Sequence, residues 1–433
     1  MLDSTRFSRG LILGLCILFA PGCATDATNE ARVPPADASV PETEGLSWVS
    51  TAALEAMLGS SARLGLNSGY VSMFARDGRI VHAASAGYAD VERGKPMNLH
   101  TRFRMASMTK PVTAVAAMSL VEEGRLGLDD PVSKYIPVAA DLRVAASRDA
   151  GPDGEIPTVP LERPLTVRDL LLFSSGIGAK DDTTTDLGRQ WAANDIYAGS
   201  GSLADRVDRI LSAPLYEAPG TRWRYGWSAD VLARVVEVAA GKPFGQVVRE
   251  RILEPLGMRQ TGFLGDEVPH VVGGEVATMY THDEAGNVVR LATPASDAPD
   301  WTPGGSGLIS TAGDYMRFAL MLWNGGTYDG VRVLRPETVE LMTRPHVESG
   351  VLLDEGIEGL GWGLGMAVVV DSEASLTPDR DGDFWWAGYY GTTFFVSPST
   401  GLVGIAMTQN QPRDKDDVPY PVHLAQGFGF FGL

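Results

Sequence analysis

Phe103-Arg-Met-Ala-Ser107-Met-Thr-Lys110-Pro111-Val-Thr-Ala-Val-Ala-Ala-Met118 joins a short approach, a Ser-x-x-Lys tetrad and an apolar run that reaches about Glu123. Proline is tolerated in the first turn of a helix, where its missing N–H costs no hydrogen bond, so Pro111 places the helix start near Ser107. Helical spacing then puts Ser107 and Lys110 on one face, close enough for the amine to take the hydroxyl proton. The helix N-terminus adds N–H groups and partial positive charge beside the serine. A helix apolar all round is expected to be buried. Burial disfavours an ammonium, and neutral lysine is the form that can act as a base. The tetrad alone is short enough to arise by chance, so its weight depends on the rest of the chain.

Upstream, Arg6 and Arg9 precede an apolar run over residues 10–20, too short to span a bilayer and suited to the core of a signal peptide. It ends in Ala20-Pro-Gly-Cys23, which predicts a lipoprotein-type signal over 1–22 with Cys23 acylated; cleavage after Ala24 by the ordinary peptidase is the alternative. Residues 23–45, rich in Ala, Pro, Asp, Glu and Thr, read as a flexible linker. The expected location is the bacterial cell envelope, periplasmic or anchored at the outer membrane. The two cysteines are Cys16 and Cys23, so after processing no thiol remains for a disulfide, a nucleophile or a metal. A net charge of −18 argues against nucleic acid and against anionic membranes, which leaves the lipid anchor as the expected membrane contact.

The folded body is expected over 46–433. Tyr70 to Arg76 and Arg79 onward flank Asp77-Gly78, the pattern of two strands around a tight turn. Gly124 is placed to end the helix that carries Ser107. Thr166-Val-Arg-Asp169 and Ser202-Leu-Ala-Asp205 are capping boxes, and Ser228 is expected to cap a helix over Ala229 to Ala240 that stops at Gly241. The middle third therefore reads as helical. Trp362 to Val370, Trp385 to Val396 and Gly401 to Met407 have strand composition. The expected fold is α+β: one antiparallel sheet from about 46–100 and 300–433, flanked by helices, with a mainly helical part at about 101–299.

Two further stretches bear on chemistry. In Trp223-Arg-Tyr225-Gly-Trp227-Ser228 a tyrosine stands at a strand-to-helix junction, where its hydroxyl could relay a proton. In Phe384-Trp-Trp386-Ala-Gly388-Tyr389 small residues would let a substrate lie against the strand, with a nearby N–H facing an oxyanion. Taken singly, each reads more simply as core or edge-strand packing. No Gly-x-Ser-x-Gly elbow occurs; the nearest, Ala83-Ala-Ser85-Ala-Gly87, lacks the first glycine. The six histidines, including His100, His270 and His346, form no His-Glu-x-x-His pair, so no metal site is expected. Gly304-Gly-Ser-Gly307 lacks the lysine of a phosphate loop and reads as a turn bordering the cleft.

The three elements in this order resemble the serine β-lactamase and penicillin-binding-protein superfamily, and most of all its β-lactamase-like carboxylesterases, the family VIII esterases. The resemblance runs from about 46 to 410 and includes Leu165 to Gly178, Pro255-Leu-Gly-Met258 and Gly304 to Thr311. It implies that Ser107 is the acylated nucleophile, Lys110 its base and Tyr225 a second proton-transfer group. It further implies an oxyanion hole made by the backbone N–H groups of Ser107 and Tyr389, beside Gly388. No cofactor is implied, and the partner is a small-molecule ester. Two departures bear on the substrate. Trp227 stands where peptide-recognising members have Asn, and Trp386 where they have a cation for the substrate carboxylate. Losing such a charge-assisted hydrogen bond forfeits about 1.5–3 kcal/mol. The expected activity is therefore hydrolysis of carboxylic esters, preferably with short acyl chains. The alternatives are a β-lactamase, a D-amino-acid peptidase or acyltransferase, and a penicillin-binding sensor that does not turn over.

Overall fold

The computed structural model describes residues 67–179, 183–263, 276–292, 301–347, 358–375 and 380–411, together with Ala62 and Gly65. The expected signal segment, Cys23, the linker and His270 lie outside the described residues.

An eight-stranded antiparallel sheet joins the early and late parts of the described residues. Its N-terminal strands are β1 (Gly69–Arg76), β2 (Arg79–Asp90) and β3 (Lys95–Pro96). Between them and the rest of the sheet in sequence lies a small three-stranded sheet of β4 (Phe103–Arg104), β5 (Gly262–Phe263) and β6 (Leu308–Ser310). The C-terminal strands of the large sheet are β7 (Leu360–Trp362), β8 (Ala367–Val369), β9 (Phe384–Gly388), β10 (Thr392–Ser397) and β11 (Leu402–Met407). The order is β7-β8-β9-β10-β11-β1-β2-β3, so the first described strand is zipped to the last, with Val71 opposite Met407. Asp77 and Gly78 both take positive φ, as a two-residue hairpin turn requires.

Both faces of this sheet are buried, and the strands divide their side chains by parity. Val71, Met73, Phe394, Val396, Val403 and Ile405 enter the larger core, whereas Phe74, Phe395, Leu402 and Ala406 enter a second, aromatic-rich one. The larger core takes in helix α1 (Thr109–Glu122), every residue of which from Thr109 to Leu120 is buried. Among the described residues of the middle third, helices Val167–Leu171, Asp186–Ala193, Leu203–Ile210 and Phe244–Val248 accompany α2 (Ser228–Ala240). Helix α3 (Ala312–Trp323) follows β6.

Most local expectations are met, and three are corrected. Thr166 and Ser202 each cap a helix through a complete capping box, Gly241 ends α2 in the left-handed region, and Gly124 follows α1 with positive φ. Ser228, however, is not the cap of α2. Trp227 holds that position, and Ser228 Oγ pairs instead with Ser175 Oγ at 2.8 Å, tying α2 to the turn after Val167–Leu171. The runs Trp362 to Val370 and Trp385 to Val396 are not single strands either. Each folds back on itself, at Gly365 (φ +95) and Gly391 (φ +84), conformations that side chains disfavour. Composition alone does not show where a strand-like run doubles back.

His82 on β2 is 1% exposed and meets Ser72 Oγ of β1 at 3.0 Å. Burial lowers its pKa from 6.5 to about 4. The unfolded chain therefore binds this proton more readily, so stability contributed above pH 6.5 is lost as pH falls through 4. The loss from this residue should approach about 3 kcal/mol. Urea denaturation between pH 7 and 4 is expected to show a steeper decline in the wild type than in His82→Gln; equal slopes would refute the assignment.

Candidate active site

Ser107 sits in a single 3₁₀ turn, Ala106–Met108, that feeds directly into α1, so the α-helix starts two residues later than the serine. Ala106 is held at φ +44, a costly conformation for a residue with a Cβ. The strain is borne next to the serine hydroxyl, which is half-buried, while Lys110 is buried at 7% exposure. Lys110 Nζ donates to Ser107 Oγ at 2.9 Å and to the Gly305 carbonyl at 2.8 Å. The first distance is within the reach over which a proton can pass between the two groups. Pro111 is the third residue of α1, where its missing N–H is tolerated.

The turn at 304–306, expected to border the cleft, proves to hold the lysine. Thr113 Oγ1 of α1 donates to the Gly304 carbonyl at 2.6 Å. The Gly305 N–H donates to Asp230 Oδ1 of α2 at 2.9 Å. Ser306 Oγ pairs with Tyr197 Oη at 2.6 Å, and the Leu308 N–H donates to Thr109 Oγ1 at 3.1 Å. A Cβ at Gly304 would collide with the Ala229 carbonyl and the Ala233 Cβ, so only glycine lets this turn lie between the two helices.

Tyr225 enters from the junction before α2. Its ring stacks on Phe173 with centroids 5.3 Å apart, and Lys110 Nζ lies 4.6 Å from its own centroid. Trp386 Nε1 donates to Tyr225 Oη at 3.3 Å, which brings the second and third motifs together. Trp386 is half-buried and packs edge-on against Trp362 at 4.6 Å. Trp227 is placed differently. It is 6% exposed and packs on Trp191 at 5.9 Å, within the larger core.

Strand β9 runs alongside the serine turn. A Cβ at Gly388 would collide with the Met105 carbonyl and with Thr392 Oγ1, and Thr392 Oγ1 itself donates to that carbonyl at 3.1 Å. The missing side chain lets the end of β9, and thus Tyr389, follow the segment that leads into Ser107. The Tyr389 ring points outward at 57% exposure, and its hydroxyl accepts from Gln411 Nε2 at 3.0 Å. The Tyr389 side chain is thus engaged at the surface.

Sequence reasoning missed Asp230, Tyr197 and the task of Gly305. Asp230 carried a signal: a lone carboxylate in the apolar first turn of α2, buried to 1% exposure. Burial pushes its pKa up to about 6 against the pull of Lys110 and of the backbone donors at Gly305 and Gly304. The buried Tyr197 hydroxyl is raised well above its ordinary range, first by desolvation and then by Asp230.

Comparison with known proteins gives the family. Protein Rv1367c of Mycobacterium tuberculosis is 36% identical over 358 residues, 80% of this chain and 87% of its own. Esterase EstB of Burkholderia gladioli is 33% identical over 377 residues, covering 82% and 90%. Among solved structures, EstCE1, described as a hydrolase with promiscuous acyltransferase activity, superposes with a TM-score of 0.72 at 28% identity, covering 88% of this chain and 99% of that one. The family model described as Beta-lactamase matches residues 62–427. With its Ser-x-x-Lys helix, antiparallel sheet and converging motifs, the chain belongs to the beta-lactamase family.

Proposed function

We propose that this protein is a serine carboxylesterase working through an acyl-serine intermediate, and the contact of Lys110 Nζ with Ser107 Oγ at 2.9 Å carries the reading. In the first step Lys110 takes the hydroxyl proton while Ser107 Oγ bonds to the ester carbonyl carbon. The negative charge that develops on the carbonyl oxygen is assigned to the backbone N–H groups of Ser107 and Tyr389. The proton then passes to the departing alkoxide, with Tyr225 as relay, and the alcohol leaves. In the second step water, activated by Lys110 and Tyr225, attacks the acyl-serine and releases the acid. No separate carboxylate base is invoked for this step.

Ester rather than β-lactam selectivity is assigned to Trp386. Its indole N–H is engaged with Tyr225, and its ring belongs to an aromatic cluster with Trp362, Phe173 and Trp223. Such a wall suits a neutral acyl or alcohol group of short chain and offers no cation to a carboxylate. The esterase relative EstB supports this reading. EstCE1 favours a second one, transfer of the acyl group to an alcohol in place of water. We also propose export, with Cys23 as lipid anchor, on the strength of the apolar run and the small residues ahead of it.

Steady-state hydrolysis of p-nitrophenyl butyrate and nitrocefin, side by side, tests the assignment. Fast ester turnover with little nitrocefin loss is expected, and the reverse ratio would make the protein a β-lactamase. A rise in product ester when an alcohol is added would mark the transferase. Ser107→Ala should abolish both turnover and covalent labelling, and Lys110→Ala should lower kcat by roughly 10²–10⁴. Trp386→Lys should shift preference toward substrates bearing a carboxylate; an unchanged ester-to-nitrocefin ratio would remove Trp386 from the selectivity argument.

A further inference from the structure

Asp230 stands beside Lys110, yet the reaction above leaves it without a task. Its carboxyl is 1% exposed and accepts from the Gly305 N–H at 2.9 Å. The Gly305 carbonyl accepts in turn from Lys110 Nζ at 2.8 Å, and Lys110 reaches Ser107 Oγ at 2.9 Å. A Cβ on Gly305 would lie 2.7 Å from Asp230 Oδ2, so this fit requires glycine. Both polar groups of one residue thus link the buried carboxyl to the base.

We propose that Asp230 is the positioning residue for Lys110: it holds Gly305 so that the amine stays against Ser107, and its carboxylate is the counter-charge for the ammonium formed on proton transfer. The inference rests on Lys110 being the base. In the step concerned the Ser107 O–H bond breaks, the proton goes to Lys110 Nζ, and the Oγ electron pair forms the bond to the acyl carbon. A carboxylate attracts a neutral amine weakly and an ammonium strongly, and both lie away from water, where charges interact more strongly. Its effect therefore falls on the transition state and not on ester binding.

The charge of Asp230 depends on pH. The groups facing it are Lys110 from α1, the Gly304 and Gly305 N–H donors from the turn, and Tyr197, whose buried hydroxyl feels the carboxylate. Burial raises the pKa to about 6, so the anionic form prevails above that pH and is lost below it. Activity should fall as pH drops through this range. A buried carboxylate with a raised pKa also lowers stability as pH rises through about 6, so removing the charge should not destabilise the fold at pH 8.

The test compares the purified wild type with Asp230→Asn, which keeps an acceptor without the charge. Thr113→Val, which frees the Gly304 carbonyl of the same turn without a change of charge, serves as a structural control. Three readouts are needed: kcat and KM for p-nitrophenyl butyrate from pH 5 to 9, the rate of Ser107 labelling by a fluorophosphonate, and the melting temperature. For Asp230→Asn the expected result is a loss of roughly 10–10² in kcat and labelling rate, the scale of an outer partner of a reacting group. KM should stay within about twofold, the acid limb should disappear, and the melting temperature should hold or rise. Thr113→Val should keep the acid limb. Wild-type labelling rates in Asp230→Asn, an acid limb that survives in it, or a rise in KM alone would overturn the proposal. Labelling requires an activated serine but no ester turnover. If the wild type labels yet hydrolyses no ester, the esterase reading fails, and the labelling ratio still decides the role of Asp230.

Discussion

A buried lysine side chain must find partners for its amine, and much of the described structure around Ser107 follows from how Lys110 finds them. Two lie within hydrogen-bond distance, one in the 3₁₀ turn that leads into the helix and one on a turn far away in sequence. Without the Gly305 carbonyl, a polar group in the core would be held by Ser107 alone, at a cost of order a few kcal/mol. The turn that presents the carbonyl is in turn fastened to α1 through Thr113 and to α2 through Asp230. Two helices and a loop therefore share one set of hydrogen bonds, which makes the geometry of Ser107 and Lys110 a property of the packed core.

The second constraint is close approach. Gly304, Gly305 and Gly388 all lie where a Cβ would meet a carbonyl, a side-chain carbon or a carboxylate. In each case the missing side chain draws a loop or strand edge against the element that carries the chemistry. Trp386 works in the opposite sense, by bulk. Its ring closes the space between Trp362 and Tyr225, and its single donor is already engaged. The site thus combines a tight polar interior behind Ser107 with an aromatic surface beside Tyr225. This pairing of a buried proton-handling group and an apolar wall is what acyl transfer to and from a neutral ester requires.

Legibility in the sequence followed the range of the interaction involved. Capping boxes at Thr166 and Ser202, the Asp77-Gly78 turn and the glycine stops at 124 and 241 are decided within a few residues, and all are found as read. Ser228 looked like a cap by the same logic, but a partner 53 residues away claimed its hydroxyl. The hairpins hidden in Trp362 to Val370 and Trp385 to Val396 were missed because strand composition is the same on both arms of a hairpin.

The sequence by itself determined the tetrad, the apolar character of the helix behind it, and the order of the three motifs. A spacing of three residues, through the 3₁₀ turn and into α1, brings Ser107 to Lys110. Only the tertiary structure decided what faces that pair. Trp227 and Trp386 are both tryptophans in motif positions, yet one is packed into the core on Trp191 and the other meets Tyr225. Asp230 and Gly305 are 75 residues apart and share no local pattern. They meet because burial leaves a carboxyl and a backbone N–H no water to turn to, and each satisfies the other.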